Sequence, residues 1–157
     1  MPRRKLPYKE GDFFALPLRT SGFGVGIATR INGKGGIIGY FLPEKYPEVP
    51  SLDEVQEKQS GDTFFIGHFG DLGFFDGGWK VIGSSPSWDR KKWPLPSFVR
   101  TDLISGKHYR ISYLEKDLDT EIECVLIGDE EASLLPEDGV FGYGALEIRL
   151  TKLLNSN

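Results

Sequence analysis

The stretch that most limits how this chain can fold is residues 22–31. Within it Phe23, Val25, Ile27, Thr29 and Ile31 alternate with Gly24, Gly26, Ala28 and Arg30. Side chains along a strand leave to opposite faces in turn, so this period-two pattern predicts a half-buried β-strand. One face is aromatic and β-branched, which suits a pleated core surface. The other is nearly bare, and glycine inside a strand marks a bulge, a bend or the close approach of another group. Because the alternation runs unbroken, the bare face is expected to receive neighbouring aromatics such as Phe13, Phe14 or Tyr40, or to permit a barrel bend.

The flanking residues read as its partners. Gly11-Asp12-Phe13-Phe14-Ala15-Leu16-Pro17-Leu18 has the composition of a strand packed on both faces. Asn32-Gly33-Lys34-Gly35-Gly36 supplies the positive φ values that tight hairpins require. Ile37-Ile38-Gly39-Tyr40-Phe41-Leu42 reads as the returning strand, which Pro43 ends. Residues 11–42 are thus expected to form a three-stranded antiparallel meander.

Beyond the meander, residues 43–61 hold three prolines and then Ser51-Leu52-Asp53-Glu54, whose Ser/Glu spacing predicts a capped surface helix of two turns. Residues 62–70 are a fourth strand candidate, 71–78 a turn that keeps its aromatics, and 79–83 a short strand with Trp79 and Val81 on one face. A loop at 84–97 is pinned by Trp88 and Trp93, with Arg90-Lys91-Lys92 at a solvated tip. Residues 98–104, 108–113 and 121–127 form a second antiparallel set joined by turns, the latter turn acidic. Ala145, Leu146, Leu150, Leu153 and Leu154 then fall at helical spacing, with Glu147 early and Lys152 late as the helix dipole prefers. An amphipathic helix is expected over 143–154. With 20 glycines, 10 prolines and 13% aromatics, short strands and turns outweigh helices. The predicted class is α+β, mostly β: an antiparallel, strongly bent sheet or SH3-like partial barrel with a short helix and a C-terminal helix. At 157 residues the chain is expected to be one domain, 1–157.

The composition argues for folded material, with 39% hydrophobic and 27% charged residues. No apolar run approaches the ~20 residues needed to span a bilayer. No apolar segment follows the basic start, so no secretory signal is expected. A single cysteine, Cys124, allows no internal disulfide and is compatible with a reducing cytoplasm. It is flanked by Ile122 and Leu126 and reads as a small buried hydrophobe.

Catalytic signatures are missing. The glycines at 22–26 lack the following helix that a phosphate-binding loop requires. Ser84, Ser85 and Ser87 lack a nucleophile-elbow context. Two histidines and one cysteine show no metal-ligand spacing, so no metal and no cofactor are expected. His68 with Asp71 or Asp76 forms an acid–base cluster only if a turn folds them together, and the hydrolase reading that rests on it is the weakest of the functional readings.

The net charge of -4 conceals an uneven distribution. Residues 1–100 hold 14 basic and 11 acidic residues, whereas residues 101–140 hold 3 and 11, a net of -8. Glu115, Asp117, Asp119, Glu121 and Glu123, followed by Asp129-Glu130-Glu131, form either a solvated strand edge or a negative face that docks a basic protein.

Three segments together, residues 11–18, 22–31 and Trp79-Lys80-Val81-Ile82-Gly83, give the chain its likeness to a known family. Over roughly residues 9–115 it resembles the immunity protein 26 family of bacterial polymorphic toxin systems. The resemblance implies a mostly-β cytoplasmic domain encoded next to a toxin gene, which binds that toxin and protects the producing cell. Many toxins of such systems act on nucleic acids, so a nuclease is a candidate target, and an acidic face could occlude a basic cleft. The toxin-contacting candidates are then Glu115, Asp117, Asp119, Glu121 and Glu123. No direct nucleic-acid or membrane binding is expected. The competing reading is an SH3-like adaptor gripping a peptide with Tyr40, Trp79 and Trp88, which requires those rings to share an exposed groove.

Overall fold

In a computed structural model, residues 5–155 can be described; Arg3 and Arg4 of the basic start lie outside them. The meander forms as expected from β1 (Asp12–Pro17), β2 (Phe23–Ile31) and β3 (Gly36–Phe41). Antiparallel pairing continues to β4 (Phe65–Gly70) on one side and to β5 (Lys80–Ser84) on the other. A two-residue strand that the sequence did not announce, β9 (Val140–Phe141), pairs parallel with β4. The spatial order is β5-β1-β2-β3-β4-β9. Among the described residues the end strands β5 and β9 do not pair with each other, so this is an open mixed sheet and not a closed barrel. A second antiparallel sheet holds β6 (Phe98–Thr101), β7 (His108–Leu114) and β8 (Asp117–Ile127) in that order. Helices are α1 (Leu52–Val55), α2 (Leu72–Asp76), α3 (Asp129–Ala132) and α4 (Tyr143–Asn155). The class is α+β, mostly β.

Both faces of the large sheet are covered, so β2 is buried through its centre on both sides instead of on one. On one face Phe14, Leu16, Ala28, Phe41, Phe69 and Trp79 pack beneath Leu146, Leu150 and Leu154 of α4. On the other, Phe13, Val25, Ile27, Tyr40 and Leu42 pack with Val55 of α1 and with Trp93. The bare face of β2 belongs to the first cluster. A Cβ built at Gly26 would lie 2.7 Å from the Phe41 ring and 3.1 Å from Phe14. These phenyl rings cross edge-to-face at 5.8 Å over the glycine that both residues flank in register. Phe14 is thus correctly anticipated as a cover, whereas Phe13 and Tyr40 lie on the opposite face and Phe41 supplies the second ring.

The alternation also breaks at a point that no local pattern marks. The β2–β3 register shifts between Ala28 and Arg30, a bulge that leaves Thr29 without a partner residue. Arg30 therefore pairs with Ile38 and turns toward the second sheet, while Ile31 joins the face it was expected to avoid. Thr29 Oγ1 donates to the Ile38 carbonyl at 3.1 Å.

Other local readings shift for identifiable reasons. The helix at 52 has a single turn, and the Ser51 side chain makes no cap. Residues 60–62 form a 3-10 turn, so β4 starts at Phe65. Trp79 is buried just ahead of β5, whereas Val81, opposite Phe14 on the edge strand of the sheet, is partly exposed. In α4 the inward face is Leu146, Glu147, Leu150, Thr151 and Leu154, and Ala145 is exposed. Glu147 is not a solvated dipole partner. It is buried, accepts from Trp79 Nε1 at 2.8 Å and meets Arg19 at 3.2 Å. Trp93 does pin the 84–97 loop, with Trp88 beside it at 6.3 Å.

Candidate functional site: the outer sheet and its acidic edge

The second sheet is tied to the body at one end. Ile38 of β3 packs against Phe98 of β6 and Leu118 of β8. The outer side of β6 is closed by the chain at 136–138: Val99 donates to the Pro136 carbonyl and Asp138 donates to the Val99 carbonyl, each at 2.8 Å. Among the described residues, β8 has no strand on its other side. Its eleven residues therefore present a free edge.

The five acidic candidates lie on the β7–β8 turn and the first half of β8. Glu115 takes a bidentate contact from Arg30, Nε to Oε2 at 2.8 Å and Nη2 to Oε1 at 2.9 Å. Arg90 stands 3.8 Å from the same carboxylate and 2.9 Å from Glu10. The Arg30 hydrogen bond, then its charge and that of Arg90, hold the Glu115 carboxyl below the usual range. Asp117 accepts from Thr120 Oγ1 at 2.7 Å and from the Asp119 amide at 3.1 Å, which likewise lowers its pKa. Asp119 is 3.6 Å from Lys34. Glu121 pairs with Arg100, and Glu123 accepts from Arg110 at 3.1 Å. The acids thus form a ladder in which cations of the same chain already stand beside most members. Arg100 also binds Asp138, to which Tyr113 donates, and burial with that contact raises the Tyr113 phenol.

The second half of β8 is different. Cys124 is exposed, contrary to its sequence reading, Leu126 is 58% exposed, and Ile122, just before this half, is 61% exposed. Among the described residues no element packs over the face that carries Cys124 and Leu126, whereas α3 lies against β7, where Glu131 meets Arg110. Leu126 lies opposite Tyr109 and Cys124 opposite Ile111. The β6–β7 turn beyond them carries Leu103 and Ile104 at 97% and 98% exposure. Asp102 builds that turn by accepting from the Ile104 amide at 2.8 Å. Two apolar residues at a turn tip were legible in the sequence, since turns are ordinarily polar, but residues 98–104 read as continuous strand. Arg30 carried no such signal: its partner Glu115 lies 85 positions away.

The remaining candidates separate. His68 lies opposite Ile38 on the face toward the second sheet, and burial depresses its pKa against the opposing charges of Asp138 and Asp119. Asp71 is on the other side of the large sheet, accepting from Tyr8 at 2.9 Å. His68 and Asp71 therefore do not converge. Asp76 ends α2, the helix packed near α4. Tyr40 and Trp79 are buried on opposite faces, so with Trp88 they form no peptide groove. Ser84 donates to Asp12 at 2.7 Å. Among the described residues no three His, Cys, Asp or Glu side chains are grouped to hold a metal ion, and no helix is long and apolar enough to cross a membrane.

No curated protein and no solved structure matches this chain. Residues 9–110 match the family model described as Immunity protein 26. The match spans the large sheet from β1 to β5, takes in β6 and ends within β7, leaving β8, α3 and α4 outside it. On that match, the chain belongs to the immunity protein 26 family.

Proposed function

We propose that this chain binds a cognate toxin, encoded by an adjacent gene, and neutralises it in the cytoplasm of the producing bacterium by protein–protein contact, with neither catalysis nor a cofactor. Membership of the immunity protein 26 family carries the reading. The separation of His68 from Asp71 and the burial of Tyr40 and Trp79 remove support from the hydrolase and peptide-adaptor alternatives. The net charge of -8 over residues 101–140 favours a basic partner, and a nuclease with a phosphate-binding cleft is one such target. Co-expression with the neighbouring toxin gene is expected to restore growth, and the two products are expected to co-purify. Continued killing together with separate elution would defeat the proposal.

Within this reading, Glu115, Asp117, Asp119, Glu121 and Glu123 form the side that steers the toxin in. Reversing Asp117, Asp119, Glu121 and Glu123 to lysine is expected to slow association by about 10-fold or more at low salt and to flatten its salt dependence. Glu121 and Glu123 have arginine partners of their own, so the Asp117/Asp119 pair is also reversed separately. Stopped-flow rates unchanged across ionic strength would leave these acids as solvated edge charges only.

A further inference from the structure

The free edge of β8 is not uniform. Its first half carries Asp117, Asp119, Glu121 and Glu123, and the register to β7 is broken by bulges between Ser112 and Leu114. Charges and bulges are the devices that blunt a sheet edge against further pairing. The second half, Cys124-Val125-Leu126-Ile127, has neither. Its pairing with Ile111, Arg110, Tyr109 and His108 runs in unbroken register, and it holds no charged residue and no proline. Acids bound this block on both sides: Glu121 and Glu123 before it, Asp129-Glu130-Glu131 after it. Leu103 and Ile104 extend the apolar surface past the end of the block, since Thr101 and Ile127 both pair with His108.

We infer that this half of β8 accepts an extended segment of the toxin as a fourth strand, one whose apolar side chains lie over Leu126, Cys124 and Tyr109 and whose basic residues flank them. The inference rests on the toxin-binding reading and adds where and how the contact is made. Main-chain hydrogen bonds along an unprotected edge supply affinity, and alternate side chains on the flanking face supply selectivity. Charge decides the occupant. A second copy of this chain paired antiparallel about the apolar block would set Glu121 and Glu123 of each copy beside Asp129-Glu130-Glu131 of the other, and like charges facing across strands oppose pairing. Arg100 and Arg110 stand beside Glu121, Glu123 and Glu131, so five acids face two arginines and the block's borders keep a net negative charge, which a basic partner strand turns into attractive contacts. The family match stops at residue 110, so this edge belongs to the part of the chain outside the shared pattern.

The test uses the full chain and the purified toxin domain encoded beside it. Hydrogen exchange of residues 121–127 is expected to slow in the complex. Leu126→Lys and, separately, Ile104→Lys are expected to leave the unfolding midpoint nearly unchanged, as both positions are exposed. Leu126→Lys is expected to raise Kd by about 100-fold and Ile104→Lys by about 10-fold. Full affinity in both variants with unaltered exchange in β8 would overturn the inference while leaving the toxin-binding reading intact. No complex at all would remove both. Protection of residues 121–127 that grows with the concentration of the chain alone would assign the edge to a second copy and overturn it as well.

Discussion

Trp79→Ala is expected to lower the unfolding free energy by about 3–5 kcal/mol, as truncation of a buried aromatic does. Domains of this kind are stable by only about 5–15 kcal/mol, so the variant should sit near its folding threshold. The indole stacks on Phe14 at 5.7 Å and meets Phe69 and Phe74 edge-on at 5.6 and 5.2 Å, joining β1, β4 and α2 in one aromatic cluster. It also lies flat against Gly73, where an added Cβ would come within 2.2 Å of the ring. Trp79→Phe isolates the polar part of its role. It keeps an aromatic ring but removes the donor to buried Glu147, leaving that carboxylate with Arg19, and should cost about 1–3 kcal/mol. Adding Glu147→Met to Trp79→Phe should recover part of this loss, because the underserved buried charge is gone. Chemical denaturation of the single and double variants measures each step. A Trp79→Phe variant as stable as the parent would show that the Glu147 contact contributes nothing.

The second large effect concerns the join between the sheets. Glu115→Ala is expected to cost about 3 kcal/mol, because it strands a guanidinium whose side chain is only 2% exposed. Arg30→Met should cost less, about 1–2 kcal/mol, since the Glu115 side chain is 51% exposed and water can take over its solvation. The residual cost reflects the Thr29 carbonyl, which loses its 2.7 Å bond from Arg30 Nη1. An equal cost for the two substitutions would contradict this asymmetry. The acid response has a defined sign. The folded Glu115 pKa is depressed by the Arg30 hydrogen bond, so its stabilisation is complete above the ordinary carboxylate value of about 4.3 and is lost as pH falls through the folded value. Urea midpoints measured down through that window should fall less steeply in Arg30→Met than in the parent.

The two effects show where local pattern gives way to packing. Residues 12–41 could be assigned to three strands because alternation, the Asn-Gly turn and Pro43 all act within a few residues of one another. α4 was legible for the same reason, since its apolar spacing is a property of one continuous segment. Arg30 was misplaced because a bulge at Thr29 shifts the alternation by one, and that shift is set by the partner strand β3. Cys124 and Leu126 read as buried because their spacing is that of a core strand. Among the described residues no layer packs over their face at the far end of β8, and that leaves them in solvent.

The acidic candidates divide in the same way. The sequence alone established that residues 115–131 are rich in negative charge and that no catalytic spacing accompanies them. Which of those charges already faces a cation was decided in three dimensions, where Arg30, Lys34, Arg100 and Arg110 arrive from other strands and turns. What the sequence determined by itself was the strand meander, the C-terminal helix and the α+β class, all carried by short-range periodicity, and beside them the three segments on which the family resemblance rests. What only the tertiary structure decided was the open sheet, the bulge-directed Arg30–Glu115 join and the half-bare edge of β8. Register and burial depend on which distant segments meet, and no local pattern contains that information.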